Sequence, residues 1–206
     1  MPVKYKVTVS RGNSKIGKML SVSLTPITTC RVDAPCFKDC YARKHAYTLY
    51  PQVRKAWDGN LKAYRDRPDW YFHQIYLSIK RAKSYKACRW CVGGDIPDFD
   101  YLLGMVTIAE AFPEMLFVCF TKKYDLVEQY ETSARFPKNL SMIVSAWPGL
   151  PLPKGIEKHR PIAWMRDPKA PDKRIPKTAV ECPGRCDTCL LCHKMKAGQS
   201  VVFERH

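Results

Sequence analysis

Three cysteines stand within eleven residues in Thr29-Cys30-Arg31-Val32-Asp33-Ala34-Pro35-Cys36-Phe37-Lys38-Asp39-Cys40-Tyr41. Three thiolates can hold three corners of a 4Fe-4S cube and leave the fourth iron free for a ligand that is not protein. Arg31 and Lys38 lie inside the run, and neighbouring cations favour the thiolate over the thiol. The spacing therefore predicts a cluster or metal site on Cys30, Cys36 and Cys40.

A second group closes the chain: Cys182-Pro183-Gly184-Arg185-Cys186-Asp187-Thr188-Cys189-Leu190-Leu191-Cys192-His193. Cys182, Cys186, Cys189 and Cys192 supply all four ligands of a closed site, and three readings of them stay open. They could hold a second iron-sulfur cluster, since the run resembles the tight cysteine runs of bacterial ferredoxins. They could hold zinc in a tetrahedron of thiolates, crowded by two successive CxxC steps that share Cys189. Or one of them could supply the fourth ligand of the first cluster. His193 beside them is expected to face solvent. Cys88 and Cys91 have the spacing of a metal knuckle, but residues three apart on a strand point to opposite faces. One packed thiol and one facing the barrel interior is the expectation there.

Composition narrows the setting. A chain of 206 residues is long enough for one domain with a sizeable core. Ten cysteines are many, yet Met1 to Ser10 has no apolar core of secretory-leader length. The expected location is therefore the cytoplasm, a host's if the chain is phage-encoded, where clustered cysteines read as metal ligands rather than disulfides. No run approaches the roughly 18 apolar residues of a membrane span, so no membrane partner is expected. Lys and Arg outnumber Asp and Glu by 35 to 19, a net charge of +16. That balance admits nucleic acid as a partner, and it equally describes a solvated basic surface. The absence of a glycine-rich phosphate loop, a serine elbow and paired carboxylates disfavours a hydrolase or NTPase.

The elements that must carry the cysteines follow from periodicity. Leu20, Val22 and Leu24 alternate with Ser21, Ser23 and Thr25, predicting a strand from Met19 that Pro26 ends. Helical pattern runs from Tyr41 to about Lys83, broken at Tyr50-Pro51 and Arg67-Pro68, with Phe72, Ile75, Tyr76 and Ile79 as one apolar stripe. A second strand from Ala87 ends at Gly93-Gly94-Asp95, and Asp98 caps a helix reaching Phe112. Met115 to Thr121 is apolar throughout, as a parallel strand covered on both faces should be. A helix over Lys122 to Arg135, strands at Leu140–Trp147 and Arg160–Met165, a loop over 166 to 177 and a last run at Ser200–Phe203 complete the order.

Repeated βα units of this kind predict an α/β fold, an open or partial barrel whose loops meet at the carboxyl ends of the strands. The loops after Cys30, Asp95, Thr121 and Ser145 would then converge, making Gly93, Gly94, Asp95, Thr121, Ser145 and Trp147 neighbours of the first cysteine motif. The expected layout is one domain: residues 1 to 18 an extension, 19 to 166 the partial barrel, 167 to 206 a cysteine-rich C-terminal segment.

Several motifs together carry a resemblance. Gly12-Asn13-Ser14-Lys15-Ile16-Gly17, Thr29-Cys30 through Cys40-Tyr41-Ala42, Gly93-Gly94-Asp95, Phe120-Thr121-Lys122, Asn139-Leu140 with Ser145, and the C-terminal cysteines with His206 resemble the phage gene-product-eighty-eight family. That family is similar to radical SAM iron-sulfur proteins, and the resemblance covers most of the chain. It implies a partial (β/α)6 TIM-like barrel with a 4Fe-4S cluster on Cys30, Cys36 and Cys40. The fourth iron would take the amino and carboxylate groups of S-adenosylmethionine (SAM). Gly93-Gly94-Asp95 is similar to the Gly-Gly-Glu segment that holds the methionine amine, and Tyr41 to the aromatic near the adenine. The chain departs from the pattern in spacing its cysteines five then three, where three then two is usual, and in placing Asp95 where Glu is usual.

The expected activity is cleavage of SAM to a 5′-deoxyadenosyl radical that acts on an unassigned substrate, with a flavodoxin- or ferredoxin-type electron donor as partner. The other reading is a non-enzymatic iron-sulfur protein with a fully cysteine-ligated cluster, serving electron transfer, structure or nucleic-acid binding.

Overall fold

Alternating and fully apolar strands drive this chain into a single sheet. The computed structural model describes residues 6–13 and 16–205. Ser14, Lys15 and His206, which belong to the motifs above, lie outside the described residues. The strands are β1 Leu20–Val22, β2 Ala87–Trp90, β3 Leu116–Thr121, β4 Leu140–Ala146, β5 Ile162–Arg166, β6 Val180–Glu181 and β7 Ser200–Glu204. They form a seven-stranded sheet in the order β1-β2-β3-β4-β5-β7-β6. Every neighbouring pair is parallel. The sheet is open, with β1 and β6 as its edges, and the fold class is mixed α/β.

Prolines set the helix starts. α1 (Pro51–Asp66) and α2 (Pro68–Arg81) each begin on proline, whose missing N–H has no helical partner to lose at that position. α3 spans Phe99–Ala111, and the Asp98 side chain accepts the Tyr101 N–H at its amino end. Tyr64 of α1 donates its hydroxyl to the same carboxylate, so the cap also joins two helices.

α4 is shorter than the periodicity suggests, Tyr124–Glu131. Its expected start is taken elsewhere, because the Lys122 N–H donates to Asp95 and the Lys123 N–H to Thr121. β1 likewise stops at Val22 where the alternation ran on to Leu24; Leu24 bonds instead to the Gly93 carbonyl beyond β2. β6 lies where only a loop end was expected, and a five-residue π-helical turn covers Arg43–Tyr47.

Strand alternation sorts side chains onto two faces. Cys88, Trp90, Phe117 and Cys119 join the large core beneath α1, α2 and α3, with Tyr71, Ile75, Tyr101 and Leu102. Each large side chain fully buried there contributes about 2 kcal/mol. Val118 and Ile143 face the other way and meet Ala163, Met195 and Val201, with Phe120, Cys182 and Cys192 beside them. The C-terminal segment therefore covers the second face and also supplies β6 and β7, so the sheet crosses the boundary expected at residue 166. The expected N-terminal extension is stitched in as well: Ser10 bridges Ser21 antiparallel. Asn60 of α1 accepts the Thr8 N–H and donates to the Thr8 and Ser23 carbonyls. Among the described residues, no helix is long and apolar enough to cross a membrane.

Replacing Asp98 with alanine removes the α3 cap and the Tyr64 partner together. The expected loss is about 1–2 kcal/mol, read as a lower urea midpoint with an unchanged m-value.

Candidate functional site

Loops leaving the carboxyl ends of the strands enclose a cavity of about 410 Å³. Cys30, Cys36 and Cys40 line it, together with Tyr41, Gly94, Asp95, Lys122, Ser145 and Trp147. The cysteine loop is shaped locally. Ile27 takes a left-handed φ of 72°, and the Cys30 N–H returns to its carbonyl at 3.1 Å. A short 3-10 turn at Pro35–Phe37 carries Cys36. The Arg43 N–H points at the Cys40 sulfur at 3.5 Å. Arg31 grips Asp33 at 2.6 and 2.7 Å and lies over the Tyr124 ring, pinning the loop to the start of α4.

The three thiols share one electrostatic neighbourhood. Burial pushes the Cys30 thiol up to about 12, and the charges of Asp95, Cys40 and Cys36 push the same way. Burial also raises Cys36, opposed by the Lys122 ammonium that hydrogen-bonds to it. Among the described residues, no three or more His, Cys, Asp and Glu side chains are grouped as ligands of a single metal ion.

Asp95 is the brace of the site. Only 6% exposed, its carboxylate accepts the Thr121 hydroxyl at 2.6 Å, the Lys122 N–H at 2.9 Å and the Ile96 N–H at 2.8 Å. Its own N–H donates to the Thr29 hydroxyl at 3.0 Å. Burial raises its pKa, and those donors counter the rise. The loops after β1, β2 and β3 are thus tied to one residue, the first through its backbone N–H and the other two through its carboxylate. Gly94 adopts φ 77° there, and a Cβ would meet the Thr29 hydroxyl oxygen at 2.6 Å.

Of the residues expected to bind a cofactor, Tyr41, Gly94, Asp95 and Ser145 line the cavity, whereas Gly93 and Thr121 do not. Gly93 lies behind it, where a side chain would strike the Trp57 ring. Thr121 is buried and spends its hydroxyl on Asp95. Cys88 and Cys91 form no knuckle. Cys88 is packed in the core, while Cys91 leaves the strand with φ 53°. It reaches the cavity wall, its thiol hydrogen-bonded to Cys119 and near Asp95 and Arg89.

Sequence reasoning named Arg31 among the cations of the site and passed over the others. Arg31, Lys44, Arg89, Lys122 and Arg205 line the cavity against the carboxylates of Asp39 and Asp95. Lys122 donates to the Ser145 hydroxyl at 3.0 Å and stands over the Trp147 ring. A readable signal existed for two of them. Lys122 ends an apolar parallel strand, where ligand-facing loops begin. Arg89 is a lone charge inside a strand covered on both faces.

Cys182, Cys186, Cys189 and Cys192 line a different pocket, which none of the first three cysteines enters. His193, expected at the surface, is 5% exposed on that pocket's wall. Burial lowers its pKa to about 4.

An open, wholly parallel α/β sheet with three thiols at its carboxyl-end cavity and four more on one face defines a cysteine-rich α/β protein with two thiol sites. The model of the family described as Gene product 88 matches residues 5–194, and the chain belongs to that family. No curated protein and no solved structure matches it.

Asp95→Ala leaves three buried donors without an acceptor. It should cost about 3 kcal/mol, measured by denaturant titration of the metal-free protein, and should increase proteolysis in the loop holding Cys30 to Cys40.

Proposed function

We propose that the chain is an iron-sulfur protein in which Cys30, Cys36 and Cys40 hold a radical-SAM-like 4Fe-4S cluster, and that the cavity beside them binds SAM. The observation that carries this reading is the grouping of these thiols on one cavity of about 410 Å³, apart from the C-terminal four. Cys91, the other thiol on that wall, is engaged with Cys119. That leaves three cysteines for the cluster and space for a small molecule at the fourth iron. In this reading the open sheet is a partial (β/α)6 TIM-like barrel with ligands at its carboxyl ends.

When bound, such a cluster supplies the electron for reductive cleavage of SAM to a 5′-deoxyadenosyl radical. The chain's own residues would bind and orient. Lys122, fixed between Ser145 and Cys36, suits the methionine carboxylate. Asp95 carries the remaining acceptor capacity to meet the methionine ammonium, and Gly94 lets the ligand approach the backbone. Tyr41, half-exposed and packed 4.8 Å from the His45 ring, offers a face to adenine. A net charge of +16 suits an acidic one-electron donor of flavodoxin or ferredoxin type, and the thiol sets suit a reducing cytoplasm.

The test is anaerobic reconstitution followed by electron paramagnetic resonance with and without SAM, with assay of 5′-deoxyadenosine. A SAM-dependent change in the signal and release of the product are expected, and alanine at Cys30, Cys36 or Cys40 should abolish both. Lys122→Ala should weaken SAM binding roughly tenfold, the value of one charge-assisted hydrogen bond. An iron signal indifferent to SAM, with no product, would leave a non-enzymatic electron-transfer or structural protein.

A further inference from the structure

The C-terminal thiols are gathered by specific local geometry. Cys186 and Cys189 sit at i and i+3 of a four-residue helix, α5 (Cys186–Cys189), and so share a face. Leu190 then turns through φ 49° into α6 (Leu191–Lys194), which returns Cys192 toward them. The segment is anchored from the other end of the chain, as the Lys18 N–H donates to the Asp187 carboxylate at 3.0 Å. Cys182, Cys186, Cys189 and Cys192 together line one pocket on the sheet face.

Two further features of this pocket point to a missing ligand. His193 is buried with both ring nitrogens unpartnered among the described residues, and the Arg89 Nε is buried and unpartnered too. Buried polar atoms are nearly always satisfied in folded proteins. Arg89 pairs in register with Val118 on β3, so its side chain emerges on the face covered by the C-terminal segment. Its guanidinium lies 4.7 Å from the Phe120 ring centre, and Arg89 and Cys186 line the same pocket. Arg89, Phe120 and Phe203 line both this pocket and the larger cavity, a single layer of side chains between the two thiol sets.

We propose that Cys182, Cys186, Cys189 and Cys192 hold a second iron-sulfur cluster, ligated entirely by this chain, and that Arg89 is a positioning residue standing between it and the Cys30–Cys40 site. Four thiolates with no open corner suit storage or relay of one electron rather than substrate binding. A guanidinium beside both centres favours the more negative state of each, so it raises their reduction potentials. The proposal stands whether or not SAM binds at the larger cavity.

The experiment uses full-length protein, reconstituted anaerobically with iron and sulfide, carrying Cys30→Ala, Cys36→Ala and Cys40→Ala together. Roughly four irons and four sulfides per chain should remain, with a reduced signal indifferent to SAM, and Cys186→Ala with Cys189→Ala should remove them. A triple variant that holds no metal, or zinc without sulfide, overturns the second cluster. Should the triple variant not fold, Cys189→Ser alters an exposed thiol in the otherwise intact chain. Loss of roughly four irons relative to the native sequence supports the proposal, and unchanged iron overturns it. Arg89→Gln should shift the midpoint of the C-terminal signal to more negative potential, and Arg89→Lys should largely restore it. An unmoved midpoint overturns the role given to Arg89.

Discussion

A single buried carboxylate organises the carboxyl-end face of this sheet. Among the described residues no cation hydrogen-bonds to the Asp95 carboxylate; it is held by the Thr121 hydroxyl and the Ile96 and Lys122 N–H groups, from the loops after β2 and β3. Removing a carboxylate from water is costly unless its oxygens are bonded, so those donors must stay where they are. That requirement shortens α4, while the Asp95 backbone N–H, donating to the Thr29 hydroxyl, ties in the base of the cysteine loop. The loop's other anchor, Arg31 on Asp33 and Tyr124, closes the same circuit from outside.

The second organising constraint is the period of the strand. On β2 and β3, alternate residues go to opposite faces. Cys88 and Trp90 enter the helix-covered core while Arg89 emerges under the C-terminal segment. An arginine on a covered face needs compensation, and here it has an aromatic face and a thiol for neighbours. Order in the chain is thereby converted into proximity: residues near 30 to 40 and residues near 182 to 192 end up on opposite sides of one side-chain wall.

The surface charge and the site charge are connected. Exposed Lys and Arg give the molecule its excess, and several of them rim the cavity already paired. Arg31 is held by Asp33, Lys44 by Asp39 and Arg205 by Asp167. Lys122 and Arg89 differ in having hydroxyl, thiol or ring neighbours in place of a carboxylate partner. Cations without carboxylates keep their capacity for an anionic ligand, and both adjoin cysteines.

Much of this was legible in the order of residues. Strand alternation at Leu20, Val22 and Leu24, the apolar run ending at Thr121, prolines at 51 and 68, and Asp98 ahead of an apolar face are local signals, and local interactions honour them. The three-cysteine and four-cysteine groups were legible for the same reason, since short spacing forces proximity whatever the fold. What the sequence could not settle is which side of a loop faces inward. Gly93 proved to serve Trp57, Thr121 to serve Asp95, and His193 to be buried, because each outcome depends on a partner distant in the chain, 26 residues away for Thr121 and further for Gly93, or on burial by a distant segment. The placement of Arg89 between the two cysteine sets was decided only by tertiary structure. It follows from β7 pairing beside β5 and carrying the C-terminal segment across the sheet face, a non-local contact that no spacing along the chain encodes.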